Sequence, residues 1–210
     1  EAMAIGRWFE ESFQKAMRSL ETGFSGWGGD REEPELTDAE LDRQLRTPSP
    51  ERILSVRTAM VRGRSDEEIH RISRIDPWFL AKLRRIIEAE ARLIKGKSLD
   101  QLDADSLFEA KQLGFSDRQI AWHTKSDELS VRQRRHQLDV RAVFKTVDTC
   151  AAEFASSTPY HYSTYERPLQ TLQADGSLKP LPASSEVSRR EDGRKMMILG
   201  GGPNRIGQGI

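Results

Sequence analysis

The sequence predicts an all-α domain, a bundle of short helices, followed by an extended C-terminal linker and one strand that enters a glycine-rich loop. Helix-capping residues and helical apolar spacing recur from Thr37 to about Leu138, with short connections between the predicted helices. Beyond Leu138 the sequence alternates, contains prolines and ends in a glycine-rich run over residues 200–209. Hydrophobic residues make up 36% of the 210 residues and the mean hydropathy is -0.66, so we expect a modest helical core.

The first helix is predicted over residues 7–21. Phe9, Phe13, Met17 and Leu20 recur at helical spacing there and form one apolar stripe. Four glycines within residues 23–29 end the helix, because glycine has too much backbone freedom to hold helical geometry. We therefore expect a domain boundary in this glycine-rich segment.

The middle of the chain carries a start signal before each predicted helix. Thr37 is followed by Glu40 at the spacing of a capping box, in which side chains and backbone N–H groups bond reciprocally. The other predicted starts are Ser49 with Pro50, Ser65, Asp76 with Pro77, Asp103, Ser116 and Asp127.

Two of these helices have predicted apolar faces. The longest helix is expected over residues 78–95, with Gly96 just beyond its end. Its expected apolar face consists of Phe79, Leu83, Ile86, Ile87, Leu93 and Ile94. The last helix, over residues 127–137, is expected to bury Leu129, Val131 and Leu138.

The remainder of the chain reads as extended. Residues 140–147 and 160–165 alternate like strands, and residues 167–193 contain several prolines and serines, which is typical of a linker. Residues 195–199 read as a buried strand, and the glycine-rich run follows it directly. Because the sequence begins without methionine and stops within this strand–loop unit, we expect the chain to be part of a longer protein.

Composition argues against several classes of protein. Lysine and arginine number 33, as do aspartate and glutamate, so the basic excess typical of nucleic-acid or membrane-surface binding is lacking. A single cysteine, Cys150, cannot form an internal disulfide, which favours a reducing compartment. The sequence contains neither a signal-peptide pattern nor an apolar run long enough to span a membrane.

The glycine-rich run is the sharpest chemical signal, yet it matches neither common nucleotide motif. Arg205 interrupts the G-x-G-x-x-G pattern, and Gln208 with Gly209 replaces the Lys-Ser/Thr of a phosphate-binding loop. A tight strand-to-helix turn is the favoured interpretation. No metal site is predicted, because none of the four histidines is spaced for ligation, and Cys150 is interpreted as a structural thiol rather than a nucleophile.

Two basic segments are interpreted as structural rather than as nucleic-acid-binding. Residues 65–90 could form a helix-turn-helix, but their many carboxylates would repel a nucleic-acid backbone, so an ordinary helical hairpin is favoured. Arg132, Arg134, Arg135 and His136 form a basic cluster on the last helix. A solvated helix face, or a contact for acidic groups of a neighbouring domain, is the preferred interpretation.

Several stretches in this order resemble the large subunit of carbamoyl phosphate synthetase. They are residues 3–7 (MAIGR), 144–154 (FKTVDTCAAEF), 162–166 (YSTYE) and 198–210 (ILGGGPNRIGQGI). Residues 76–80 (DPWFL) and 114–117 (GFSD) are also similar to that family. The resemblance is weaker over residues 23–50 and 167–194.

The resemblance implies a division of the chain into four parts. Residues 1–27 are the closing helix of the carboxyphosphate half, and 28–158 are the helical oligomerisation domain. Residues 159–193 are an extended segment and linker, and 194–210 are the opening strand and glycine loop of the carbamoyl-phosphate half. The same resemblance implies that Glu1 and Gly209 line the carbamate tunnel and that Leu41 belongs to an oligomer interface; catalytic and metal-binding residues are not expected here.

The resemblance also implies the setting of the parent enzyme. It is a cytoplasmic ligase that converts ATP, bicarbonate and glutamine-derived ammonia to carbamoyl phosphate, in arginine and pyrimidine biosynthesis. The parent enzyme uses ATP and Mg/Mn with K, none of them bound by this chain. Its partners are a glutaminase small subunit and other large-subunit copies, with neither nucleic acid nor membrane involved. The alternative interpretation is a free-standing helical adaptor without catalysis.

Overall fold

The computed structural model describes residues 2–155, 159–181, 183–187 and 193–198, and helices dominate this part of the chain. It contains eight α-helices and two small antiparallel sheets, so the all-α prediction is confirmed. The helices are α1 (Phe9–Ser19), α2 (Asp38–Arg46), α3 (Arg52–Val61), α4 (Asp66–Ser73), α5 (Pro77–Ala89), α6 (Ala104–Gln112), α7 (Asp117–Thr124) and α8 (Glu128–Gln137). A π-helical turn (Glu90–Ile94) continues α5, and a 3-10 turn (Leu99–Gln101) precedes α6.

One hydrophobic core joins the helices. Helix α5 packs against α1, α3 and α4, α2 packs against α3 and α4, and α7 packs against α8. The side chains with no exposed area include Trp27, Leu41, Leu45, Val56, Ile69, Leu80, Ile86, Ile120 and Val131. Burial of each such aliphatic side chain contributes roughly 2 kcal/mol, so the core is the main source of stability for the bundle.

Most predicted helix starts are confirmed by their hydrogen bonds. Thr37, Ser65 and Ser116 each accept the backbone N–H three residues on, and the residue at that third position bonds back to complete a capping box. Asp76, Asp103 and Asp127 cap α5, α6 and α8.

The predicted start of α3 at Ser49 and Pro50 is wrong. Helix α3 begins at Arg52, and Glu51 precedes it without a side-chain cap. The backbone N–H of Arg52 donates to the carbonyl of Ser49 at 3.1 Å, so Pro50 occupies the second position of a tight turn, which its fixed φ suits.

Two predicted apolar faces need correction. On α5, Leu80, Leu83 and Ile86 face the core, whereas Phe79 is 46% exposed. On α8, Leu129 is exposed because α8 buries only the face that carries Val131. Two residues along a helix turn the side chain by about 200°, so Leu129 points away from that face.

The predicted helix over residues 78–95 changes its winding at Glu90. The backbone N–H of Lys95 donates to the Glu90 carbonyl at 2.9 Å, five residues back, which is the π-helical pattern. Gly96 follows with a φ of +77°, as expected for the residue after a helix.

The glycine-rich segment after α1 is packed into the bundle. Trp27 is fully buried, and its indole N–H donates to the Ile53 carbonyl at 2.9 Å. Gly28 lies so close to Arg57 that a Cβ there would overlap the guanidinium Nε. The packing joins the residues on both sides of this segment. The domain boundary expected there stays a prediction.

The extended segments after α8 form an antiparallel pair. Strand β1 (Val143–Thr146) pairs with β2 (His161–Thr164), with Val143 opposite Thr164. This confirms that residues 140–147 and 160–165 contain extended structure. Residues 185 and 186 lie along the other edge of β1, where the Glu186 N–H donates to the Phe144 carbonyl at 2.8 Å.

A hairpin lies within the segment predicted as linker, which is a correction. Strand β3 (Leu169–Leu172) pairs with β4 (Leu178–Leu181) around a turn that contains Asp175 and Gly176. Gly176 has a φ of +82°, which a glycine adopts without strain, and Asp175 accepts from the Ser177 backbone N–H at 2.9 Å.

The described part of the predicted C-terminal strand is not a strand. Residues 194–198 have no regular secondary structure, and Met196, Met197 and Ile198 are highly exposed. No described strand lies beside these residues to accept their backbone hydrogen bonds, which a strand requires. The glycine-rich run over residues 200–209 lies outside the described residues.

Candidate association surface

The predicted interface residue, Leu41, is fully buried within its own chain. It lies on α2, whose other buried side chain is Leu45, and α2 packs against α3 and α4. Leu41 therefore stabilises the core, and in this conformation its side chain cannot contact a second copy. The spacing of Leu41 and Leu45, one helical turn apart on an otherwise polar helix, is the sequence signal for this core position.

The two predicted tunnel residues, Glu1 and Gly209, lie outside the described residues. Their placement in a tunnel stays a prediction. The structure instead brings together charged residues from different helices in two ionic networks.

Four charged or polar side chains form a continuous chain of contacts across one face of the bundle. Arg57 on α3 donates from Nε to Glu33 Oε1 at 2.6 Å and from Nη2 to Glu90 Oε1 at 3.0 Å. His123 on α7 places its Nε2 3.4 Å from Glu90 Oε1. We call Glu33, Arg57, Glu90 and His123 the ionic chain; it joins the segment before α2 to α3, the π-helical turn and α7.

The surroundings of Glu90 favour its charged form. Burial opposes ionisation, but the nearby His123 and the charge and hydrogen bond of Arg57 outweigh it and lower the pKa of Glu90 to about 2. Burial also opposes the charge on Arg57, yet Glu90 and Glu33 together raise the pKa of this guanidinium. Glu90 and Arg57 are therefore both charged at neutral pH.

An open groove of about 660 Å³ lies over the ionic chain. Trp122 and Val61 contribute apolar surface to it, and these side chains are 46% and 38% exposed. Its remaining lining residues are Gly29, Arg31, Glu32, Glu33, Arg57, Glu90, Lys95, Gly96, Ala121, His123, Lys125 and Ser126. We call this feature the Trp122 groove.

The Trp122 groove is lined by exposed side chains of both charges. Glu32 and Glu33 belong to the segment at the α3 end of the ionic chain. Lys95 and Lys125 follow the π-helical turn and α7, which hold the other end through Glu90 and His123. Arg31, the sequence neighbour of Glu32, also lines the groove, so exposed side chains of both charges occur there together with the apolar surface of Trp122 and Val61.

A second ionic network joins the later helices to the segment after β2. Asp117 accepts from Lys111 Nζ at 2.9 Å and from Arg135 Nε and Nη2 at 2.9 and 2.6 Å. Arg135 Nη1 also donates to the Tyr165 hydroxyl at 3.0 Å. Burial lowers the pKa of Lys111 to about 8, although the Asp117 carboxylate acts in the opposite direction.

The N-terminal segment and the region around β2 are bound to each other directly. Arg7 and Glu166 form an ion pair at 2.7 Å, and Thr164 donates to Glu11 at 3.0 Å. Lys15 donates from Nζ to the carbonyls of both Ile5 and Ser163. These contacts fix the region around β2 against α1.

The described residues offer no group of three or more His, Cys, Asp or Glu side chains placed to hold a metal ion. None of the helices in the described ranges is both long and apolar enough to cross a bilayer. Buried ionic networks between helices, together with an exposed groove of mixed charge, are the features of a helical structural module. Such a module can hold neighbouring segments in place and associate with another protein surface.

Comparison with known proteins identifies the family. A family model described as carbamoyl-phosphate synthetase large chain, oligomerisation domain, matches residues 1–139. The carbamoyl phosphate synthase large chain of Nostoc sp. is 51% identical over 210 residues, which are 100% of this chain and 17% of the relative. The large chain of Synechocystis sp. is 52% identical over 100% of this chain and 18% of its own length.

An arginine-specific, chloroplastic carbamoyl phosphate synthase large chain of Oryza sativa subsp. japonica is 46% identical over 211 residues, covering 100% of this chain and 16% of the relative. The chain belongs to the carbamoyl-phosphate synthetase large-chain family, and residues 1–139 correspond to the family's oligomerisation domain. It spans only 16–18% of the length of these three relatives. The range matched by the family model includes the boundary expected near residue 27, which stays a prediction.

Proposed function

We propose that this chain is the central segment of a carbamoyl phosphate synthetase large subunit, where it links two ATP-using halves and mediates association between copies. The observation that carries the proposal is the match of the whole chain to large chains at up to 52% identity, together with the oligomerisation-domain model. The buried ionic networks support a structural role, because they hold helices and strands in one arrangement without presenting an exposed catalytic group.

The reaction of the parent protein follows from the family in this proposal. The parent enzyme is an ATP-dependent carbon–nitrogen ligase that makes carbamoyl phosphate from bicarbonate and glutamine-derived ammonia. Its ATP, Mg/Mn and K would be bound outside this chain, and a glutaminase small subunit would be its partner in the cytoplasm. Arginine and pyrimidine biosynthesis are the pathways that it would serve.

The proposed division of labour within the chain keeps the four parts expected from the sequence. Residues 1–27 close the first half, residues 28–158 form the association domain, and residues 159–193 connect it to the second half, which begins at residues 194–210. Glu1 and Gly209 are proposed to line the tunnel between the halves. The contact between Arg7 and Glu166 supports this arrangement, since it brings the segment before α1 next to the segment after β2.

Two measurements on the purified chain test the proposal. Sedimentation velocity over a wide concentration range should reveal reversible self-association, and ATP hydrolysis with bicarbonate should stay at the level of a buffer control. A chain that remains monomeric at every concentration would contradict the association role. Bicarbonate-dependent ATP hydrolysis would contradict the assignment of catalysis to other parts of the large subunit.

A further inference from the structure

The β3–β4 hairpin carries four exposed leucines, two on each face. Leu169 lies opposite Leu181, and Leu172 lies opposite Leu178. Because successive side chains of a strand point to opposite faces, residues three apart lie on different faces, so each face carries one of these pairs. All four side chains are 54–69% exposed. A two-stranded hairpin on its own is marginally stable at best in water, so an apolar surface that covers one face would stabilise it.

Contacts with the bundle and the small sheet hold both ends of the hairpin in place. Arg167, just before β3, donates to Asp105 at 2.9 Å, and its guanidinium lies 4.9 Å from the centre of the Phe108 ring. Beyond β4, the Glu186 N–H donates to the Phe144 carbonyl at 2.8 Å. Because its ends are fixed, the hairpin loses little conformational freedom when a partner binds it.

The face with Leu169 and Leu181 continues into a further apolar residue, Trp8. Trp8, Pro168 and Leu169 line one surface pocket, and Trp8 is 49% exposed. Trp8 is also the N-cap residue of α1, in the segment that leads in from residue 1. We call Trp8, Pro168, Leu169 and Leu181 the Trp8 face.

The composition of the hairpin suits a permanent apolar contact. Asp175 and Lys179 are the charged residues between positions 169 and 181. Obligate interfaces are more hydrophobic than transient ones, so such a surface fits a neighbour that stays bound. Pro180 lies within β4 and has no N–H, which makes this strand a poor template for a further strand. The contact therefore runs through the side chains of one face.

The two ends of the chain leave on opposite edges of the β1–β2 sheet. Lys15 Nζ bonds the carbonyls of Ile5 and Ser163, which places the N-terminal segment beside β2. Glu186 lies along β1, so the chain towards residue 194 leaves from the other edge. The Trp8 face is on the side of the N-terminal segment, because it contains Trp8.

We propose that the Trp8 face binds the ATP-using half that precedes residue 1 in the same large subunit. This inference rests on the proposed function, in which residues 1–27 close that half. The chain itself tethers that half within a few residues of Trp8, which gives it a high effective concentration at this face. The relatives leave ample chain for such a neighbour, since this chain is only 16–18% of their length.

Photo-crosslinking in the complete large subunit tests the proposal. The benzophenone amino acid p-benzoylphenylalanine replaces Leu181 in one variant and Leu178 in the matched control, which lies on the opposite face at similar exposure. After irradiation, tryptic mass spectrometry locates the crosslinked peptides. Position 181 should crosslink to peptides that precede residue 1, and position 178 should give little of this product.

Amide hydrogen exchange of the large subunit provides a second measurement. Leu181→Asp should speed exchange across β3 and β4 about tenfold or more, because the carboxylate would have to be desolvated against an apolar neighbour. Leu178→Asp is the control for the effect of an aspartate on the hairpin itself, and it should change the rates less than about twofold. Circular dichroism should verify that both variants keep the helical content of the wild type.

The outcomes separate the inference from the proposed function. Crosslinks from position 181 to the glutaminase subunit, to the second half or to another copy would overturn the proposed contact and leave the proposed function intact. The absence of any crosslink, or equal effects at positions 181 and 178, would overturn it as well. The proposed function fails independently if the large subunit of this protein carries no ATP-using half before residue 1.

Discussion

Replacement of Glu90 by glutamine should destabilise the chain strongly, and the loss should depend on pH. Glu90 lies in the π-helical turn with only 8% of its side chain exposed, between Arg57 and His123. Glutamine keeps the shape of the side chain but removes the negative charge that faces these two groups. Arg57 would retain Glu33 as its only carboxylate partner among the four residues of the ionic chain.

The magnitude follows from the pKa of Glu90. Its value falls from 4.5 to about 2 on folding, and each pKa unit corresponds to about 1.4 kcal/mol, so the charge contributes up to about 3 kcal/mol. Because the pKa is lowered in the folded state, this stability is present above pH 4.5 and is lost as the pH falls towards 2. Loss of one partner from a buried ion pair is costly by a similar amount.

Urea unfolding followed by far-ultraviolet circular dichroism measures this effect. Glu90→Gln should lower the free energy of unfolding by about 3 kcal/mol at pH 7, and the difference from wild type should shrink below pH 4.5. Glu88→Gln, an exposed position on the preceding helix, should change the free energy by less than about 0.5 kcal/mol. A Glu90→Gln cost under about 1 kcal/mol at pH 7, or a cost that does not vary down to pH 3, would refute the reasoning.

Three further substitutions test other parts of the structure by the same urea titrations. Lys111→Met should remove the free-energy cost of burying an ammonium group. The pKa of Lys111 is about 8 in the folded state and 10.5 in the unfolded state, so wild-type stability should rise relative to the variant between pH 8 and 10.5, by up to about 3 kcal/mol. A stability difference that stays constant over this pH range would contradict this. Gly114→Ala should cost more than Gly63→Ala, because both glycines have positive φ but only a Cβ at Gly114 would lie 2.9 Å from Glu11 Cα; equal costs would count against the close packing of α1. Thr37→Ala should cost about 1 kcal/mol through loss of the cap of α2, with Thr37→Ser close to neutral as its control.

The sequence predicts most reliably the helix caps and strands that depend only on residues close together in the chain. Thr37, Ser65 and Ser116 cap their helices through bonds that span three residues, so the spacing alone carries the information. The alternation around Tyr162 likewise identified β2. The hairpin of β3 and β4 also had a local signal, since Asp175 and Gly176 form the dipeptide typical of tight hairpin turns, but the prolines and serines around it favoured a linker.

The candidate surface depends on residues far apart in the chain and could not be predicted in this way. Arg57 is separated from Glu33 by 24 positions and from Glu90 by 33, and nothing in local spacing selects these partners among so many charged residues. Trp122 lies on the exposed side of α7, a fact that depends on how α7 packs. Leu41 was assigned to an interface by resemblance, whereas its apolar partner one turn later, Leu45, already indicated a place in the core.

The bond between Arg7 and Glu166, with Lys15 and Thr164 beside it, also determines how the chain responds to mechanical load. Tension applied through the backbone before Arg7 and after Glu166 acts first on these contacts. Helix α1 carries Lys15 and therefore shares this load, whereas α2 to α8 lie in the loop that the contacts close and remain unloaded until these contacts rupture. Movements of the chain before Arg7 are thereby transmitted directly to the chain after Glu166, and α2 to α8 do not carry this force.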